Sequence, residues 1–269
     1  MRSALPFAHA VSNPVRRTSV APFQPFALLP MTGRARRMGV GTMPAAALAT
    51  VLLALPGSAQ VPGLGPVDTR HAVSPAEAPF DAIALIETTA GGRCTGALVA
   101  PRVVLTAAHC LVTSDAAGLV APGEISIRLG GRTVRGTALR SGPGFNPARE
   151  EPWRADWAMI TVAAPLGGGH ALRMLREAPG LGMPVTLAAW QYDRPDLLMA
   201  DRACRVVTVA TFGTQGILVG HNCAGTVGSS GAPILVRAPG GYAVAGVQVK
   251  AALGQPLGVA VPAFTIPAP

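Results

Sequence analysis

The sequence is poor in charge and in aromatic rings: charged residues make up 13% of its 269 residues, and Phe, Trp and Tyr together 4%. So little charge, beside a hydrophobic fraction of 49%, excludes a disordered chain and supplies ample apolar material for a core. Acidic residues are absent before Gln60, where six arginines stand (Arg2, Arg16, Arg17, Arg34, Arg36 and Arg37). They account for most of the formal charge of +9, leaving 16 basic against 13 acidic residues in the rest of the chain. Those remaining arginines are scattered singly with no interleaved aromatics, so no nucleic-acid partner is expected. No CxxC pair or His-rich ligand spacing occurs, and neither a metal nor a cofactor is expected. The apolar run from Pro44 to Leu55 is well short of the roughly 20 residues that span a bilayer. It excludes a stable membrane anchor once a leader has been removed.

What is present reads as an exported chain. After Met31, the expected start, come a basic stretch GRARRMG, the apolar run, and the small residues Gly57, Ser58 and Ala59 before Gln60. That order is the pattern of a secretory signal, so residues 1–59 are assigned to an N-terminal extension and signal, with cleavage after Ala59 and a secreted or periplasmic destination. Residues 60–79, which contain Pro and Gly and are weakly patterned, are assigned to a linker or propeptide, with ordered structure beginning near Phe80.

From Phe80 the chain gives short β-rich runs in two sets of six. The first comprises 82–87, 95–99, 103–106, 125–129, 133–139 and 157–162; the second comprises 185–190, 204–210, 216–219, 233–236, 242–249 and 257–261. A Gly-rich stretch at 167–169 separates them, dividing the molecule into 80–168 and 169–269. With 32 Gly, 26 Pro and no helical stretch long enough for βαβ crossovers, the fold class is all-β, as barrels or a sandwich. Four cysteines in an oxidising compartment pair in one of three ways. The simplest local choice joins Cys94 to Cys110 and Cys204 to Cys223.

Three segments carry chemistry: Thr106-Ala-Ala-His109-Cys110, Ala155-Asp156-Trp157-Ala158, and Gly228-Ser229-Ser230-Gly231-Ala232-Pro233. A serine hydroxyl is a poor nucleophile at neutral pH and needs an imidazole to take its proton. The imidazole needs a carboxylate to fix its tautomer and stabilise its cation. Ser230, His109 and Asp156 supply these groups, and the glycines around Ser230 allow the N–H groups of Gly228 and Ser230 to converge on an oxyanion. An α/β-hydrolase elbow, G-x-S-x-G, is excluded because Ala232 stands where its second glycine should be. His221 is expected to be a loop or pocket-wall residue, and Trp153, Trp157 and Trp190 to be packing residues.

These segments, in the order His, Asp, Ser, resemble the trypsin-like (chymotrypsin-fold) serine peptidases over roughly residues 80–264. The resemblance implies two perpendicular six-stranded antiparallel β-barrels with the active site in the cleft between them. It also implies a secreted endopeptidase acting through an acyl-enzyme on proteins or peptides, and a monomer is expected. The other reading is a catalytically silent exported binding protein on the same fold. Cys94 sits where the family bridges to the cysteine after the histidine, here Cys110. Cys223, seven residues before Ser230, resembles the bacterial glutamyl-endopeptidase-like branch, which implies its pairing with Cys204. Ser229 replaces the Asp that in vertebrate trypsins salt-bridges a freshly cut N-terminus. By the same likeness Ala224, Gly225, Gln248, Val249 and Lys250 are substrate-binding, with Ala224 at the pocket floor and Gln248 where a His grips acidic side chains. A small or medium uncharged P1 residue is expected.

Overall fold

A computed structural model describes residues 61–149, 153–166 and 170–269; the extension and signal assigned to 1–59 lie outside the described residues. Among the described residues there are fourteen strands. Near the start of the described chain lies β1 (His71–Val73). Six strands follow: β2 (Ile83–Thr88), β3 (Arg93–Ala100), β4 (Val103–Thr106), β5 (Ile125–Leu129), β6 (Arg132–Ser141) and β7 (Ala158–Val162). They close into an antiparallel barrel in the order β2-β3-β4-β7-β6-β5. In β5 the alternation is plain: Ile125, Ile127 and Leu129 point into the barrel, and Arg128 between them points out. Ile86, Leu98, Leu105 and Ile160 join Ile125 and Ile127 in one core, each almost wholly removed from water.

After the two-residue β8 (Arg173–Met174) come β9 (Pro184–Trp190), β10 (Leu198–Thr211), β11 (Ile217–His221), β12 (Pro233–Ala238), β13 (Gly241–Ala251) and β14 (Gly258–Pro262). β9 pairs with both β10 and β12, which closes the ring β9-β10-β11-β14-β13-β12 into a second six-stranded barrel. Val185, Leu187, Val206, Val219 and Ile234 fill it. The fold is therefore all-β with two closed antiparallel barrels, and each expected run falls on one strand of one ring. β10 spans 14 residues because it serves three neighbours: its first half pairs with β9 and β1 and its second half with β11, with irregularities near Asp201 and Val206.

Folded structure is already present before Phe80, with β1 at His71–Val73 inside the stretch assigned to a linker or propeptide. Residues 61–73 form an arm against the second barrel, where Pro62 bridges to Leu253 and β1 pairs with β10. The physical reason is Arg70. Its side chain is 1% exposed, with Nε and Nη2 donating to Asp68 and both Nη atoms donating to Asp193. Burial opposes its charge, but the hydrogen bonds to Asp68 and Asp193 outweigh that and hold the guanidinium more firmly protonated than usual. The disulfides are Cys94–Cys110 and Cys204–Cys223, the local pairing.

Candidate active site

β4 and β7 run antiparallel with Thr106 opposite Ala158. Residues just after β4 and just before β7 therefore emerge at the same end of the ladder. His109 occupies a 3-10 turn, Ala108–Leu111, directly after β4; Asp156 follows another such turn, Trp153–Ala155, and precedes β7. The register thus delivers imidazole and carboxylate together. His109 Nδ1 lies 2.7 Å from Asp156 Oδ2, and the His109 backbone N–H donates to Oδ1 at 2.9 Å. Both carboxylate oxygens are spent on one residue, so the ring can neither rotate nor tilt freely. With Nδ1–H donating to Asp156, Nε2 is left as the acceptor. The Asp156 side chain is 11% exposed and that of His109 37%, a buried carboxylate behind an accessible imidazole.

Ser230 comes from the other barrel, on the loop between β11 and β12. The Gly231 N–H donates to the Gln248 carbonyl on β13 at 2.7 Å, and the Gln248 N–H donates to the Ala232 carbonyl at 2.9 Å. From the first barrel, the Thr95 N–H donates to the Ser230 carbonyl at 2.9 Å, and Thr95 Oγ1 donates to the Gly228 carbonyl at 2.9 Å. Gly228 has φ +96°, and a β-carbon there would lie 2.5 Å from the Trp190 carbonyl, so only glycine fits. Among the described residues neither the Gly228 nor the Ser230 N–H has a hydrogen-bond acceptor.

His109 and Ser230 line one cleft of about 580 Å³. The expected hydrogen bond between them is not made, and among the described residues Ser230 Oγ has no partner. Such bonds are commonly loose without substrate and tighten when it binds. A second hollow of about 390 Å³, also lined by His109, is walled by Val112, Phe145, Trp153 and Val249.

The five residues assigned to substrate binding separate into two groups. Gln248, Val249 and Lys250 line the cleft, and the Lys250 ammonium lies 4.9 Å from the centre of the Trp153 ring. Ala224 and Gly225 are buried instead behind the arm, where the Gly225 N–H donates to the Gly63 carbonyl. His221 is no loop residue. It ends β11, is fully buried, and receives the Cys223 N–H on Nδ1 at 3.2 Å. Its Nε2–H therefore donates to Gln248 Oε1, at 2.6 Å, while Gln248 Nε2 donates to the Lys250 carbonyl. Burial holds the His221 pKa down to about 4, so at neutral pH the pair carries no charge. Trp157 packs in the core as expected; Trp190 also donates Nε1–H to the Ile83 carbonyl. Cys94, Cys110 and His109 place their donor atoms within 4.8 Å of one another, but the two sulfurs are bonded together and offer no thiolate for a metal.

Thr95 and the arm were not read from the sequence as parts of the site. The one available signal was Arg70 with Asp68, a charged pair in a weakly patterned stretch.

Comparison with known proteins agrees with this geometry. The family described as Trypsin matches residues 69–266. Trypsin of Sarcophaga bullata is 29% identical over 128 residues, 46% of this chain and 47% of that protein. Trypsin beta of Drosophila erecta is 29% identical over 101 residues, 36% and 39% of the respective lengths. The chain thus matches under half the length of these curated relatives. Among solved structures, a Glu endopeptidase in complex with MPD superposes with a TM-score of 0.60 at 20% identity, over 74% of this chain and 93% of that one. At that identity the likeness is one of fold.

Proposed function

Because this chain belongs to the trypsin family, we propose that it is an exported serine endopeptidase that hydrolyses peptide bonds through an acyl-enzyme on Ser230. The observation that carries this reading is the double grip of Asp156 on His109 beside a cleft that also holds Ser230. Ser230 Oγ attacks the scissile carbonyl carbon, and its proton passes to His109 Nε2. The carbonyl oxygen becomes an oxyanion held by the Gly228 and Ser230 N–H groups. As the C–N bond breaks, His109 returns the proton to the departing amine. Water then attacks the acyl carbon, giving its proton to His109 and releasing the acid as Ser230 regains its hydrogen.

Gln248 is neutral, Ala224 lies buried and no carboxylate lines the cleft among the described residues, so a basic P1 side chain meets no counter-charge, while Lys250 and Arg93 are the cations along the wall. A small or medium uncharged P1 residue fits best. Two disulfides and the leader pattern before Gln60 support action outside the cytoplasm, by a monomer on protein or peptide substrates. Among the described residues no helix is long and apolar enough to cross a membrane.

The alternative reading is a catalytically silent exported binding protein on the same barrels. A fluorophosphonate probe separates the two. Labelling of the wild type, lost in Ser230→Ala and His109→Ala, is expected; a folded wild type that stays unlabelled refutes the peptidase.

A further inference from the structure

Ala224, Gly225 and Thr226 are three consecutive residues in the loop that leads to Ser230, all buried and outside any strand. Their N–H groups point to acceptors that the barrel strands do not satisfy alone. The Ala224 N–H donates to Asp201 Oδ2 at 2.8 Å, and that same oxygen accepts Thr69 Oγ1–H at 2.8 Å. The Gly225 N–H donates to the Gly63 carbonyl at 3.0 Å, while the Gly63 N–H donates to the Ala252 carbonyl at 2.7 Å. The Thr226 N–H donates to Gln191 Oε1 at 2.7 Å, an oxygen that also accepts from Arg70 Nη1 at 2.6 Å. Each of the three acceptors is therefore supplied by the arm or held by it.

The fit of these contacts is tight. Gly63 has φ +72°, and a β-carbon on it would overlap the Gly225 carbonyl. Asp201 and Gln191 are 2% and 1% exposed, so neither acceptor can turn to water if its arm partner leaves. The constraint is also passed on toward the nucleophile. The Ser229 N–H donates to the Thr226 carbonyl at 2.8 Å, and the Tyr192 N–H donates to the Val227 carbonyl at 3.0 Å. Fixing Thr226 thus fixes the turn whose next residues are Gly228 and Ser230. Ser229, the residue before the nucleophile, carries no charge that could hold this loop from another direction.

The geometry points to the arm, residues 61–73, as an intramolecular clamp that sets the loop presenting Ser230, with Thr69 and Arg70 as positioning residues. This rests on the peptidase reading for its consequence, since the groups being placed are the proposed nucleophile and oxyanion donors. Catalysis then depends on docking of an internal stretch of chain through side chains, and displacement of that stretch would lower turnover without touching His109 or Asp156.

The test uses the full chain, exported so that both disulfides form, as wild type, Thr69→Val, Thr69→Ser and Arg70→Met. Two quantities are read: kcat and KM on a cleaved peptide, and amide hydrogen exchange in the 222–230 segment. Thr69→Val keeps the shape of the side chain but removes its hydroxyl; Arg70→Met removes the hold on Gln191. Both should lower kcat roughly ten- to hundredfold, leave KM within about threefold, and speed exchange in 222–230. Thr69→Ser should behave as wild type. If Arg70→Met does not fold, Thr69→Val decides. Unchanged exchange in folded Thr69→Val overturns the clamp, and faster exchange with unchanged kcat overturns its link to catalysis. A wild type that neither cleaves nor labels refutes the peptidase reading instead, and exchange alone then decides whether the arm holds the loop.

Discussion

Acidification should destabilise this protein through a single buried imidazole. His221 accepts the Cys223 N–H on Nδ1, so a proton arriving at that nitrogen removes an acceptor and sets two donors against each other inside the second barrel. In the unfolded chain the imidazole titrates near 6.5; folded, it titrates at about 4 because burial penalises the cation. Between those values the unfolded state binds more protons, so the contribution is fully present above pH 6.5 and is lost as pH falls through about 4. At about 1.4 kcal/mol per unit, the whole span is worth about 3 kcal/mol. Asp68, held low by its hydrogen bond from Arg70, adds its loss below that window. The assay is urea unfolding from pH 7.5 to 4 on wild type and His221→Asn. The variant will be less stable throughout, because Gln248 and Cys223 lose a partner. The discriminating quantity is the slope, which should be steeper in the wild type by up to about 1.4 kcal/mol per pH unit. Parallel slopes between pH 6.5 and 4.5 would refute the assignment of His221 as a buried neutral group.

Asp156→Asn should reduce kcat on the order of 10⁴-fold with the fold intact by circular dichroism, since an amide presents an N–H where His109 needs an acceptor; a loss under tenfold would contradict the role given to the carboxylate. Replacing Cys204 and Cys223 together by Ser opens a link between residues 19 apart and should cost about 3 kcal/mol in thermal unfolding. Gly63→Ala introduces a β-carbon at positive φ against the Gly225 carbonyl, and fluorophosphonate labelling of Ser230 should slow by about tenfold or more.

The strands of the two barrels were legible because their residues repeat with the period of a half-buried sheet, as Ile125, Ile127 and Leu129 do. The first half of β10 was not: Leu198-Met-Ala-Asp-Arg-Ala lacks β-branched residues, and it is extended because β9 and β1 both pair with it. β1 is only three residues long and exists by that same pairing. His109 and Asp156 could be named because their motifs lie at the ends of recognisable strands, and the β4–β7 register did the rest. The arm was assigned to a linker or propeptide because it contains Pro and Gly and is weakly patterned. Its order comes from long-range partners, Asp193, Gln191, Asp201 and Gly225, whose nearness to Arg70, Thr69 and Gly63 no local pattern encodes. His221 was misplaced for a similar reason, because burial at the end of β11 is a property of the closed barrel.

Thr95 makes the two barrels mechanically inseparable at the cleft. Its N–H holds the Ser230 carbonyl, its hydroxyl donates to the Gly228 carbonyl and accepts the Trp190 N–H, and its carbonyl accepts Thr106 Oγ1–H on the strand that leads to His109. The strand that leads to His109 and the turn that carries Ser230 therefore meet at one backbone joint. The same joint means that severing the chain between the halves would yield fragments of which neither retains the shape of the Ser230 turn, since one half carries that turn and the other its mould.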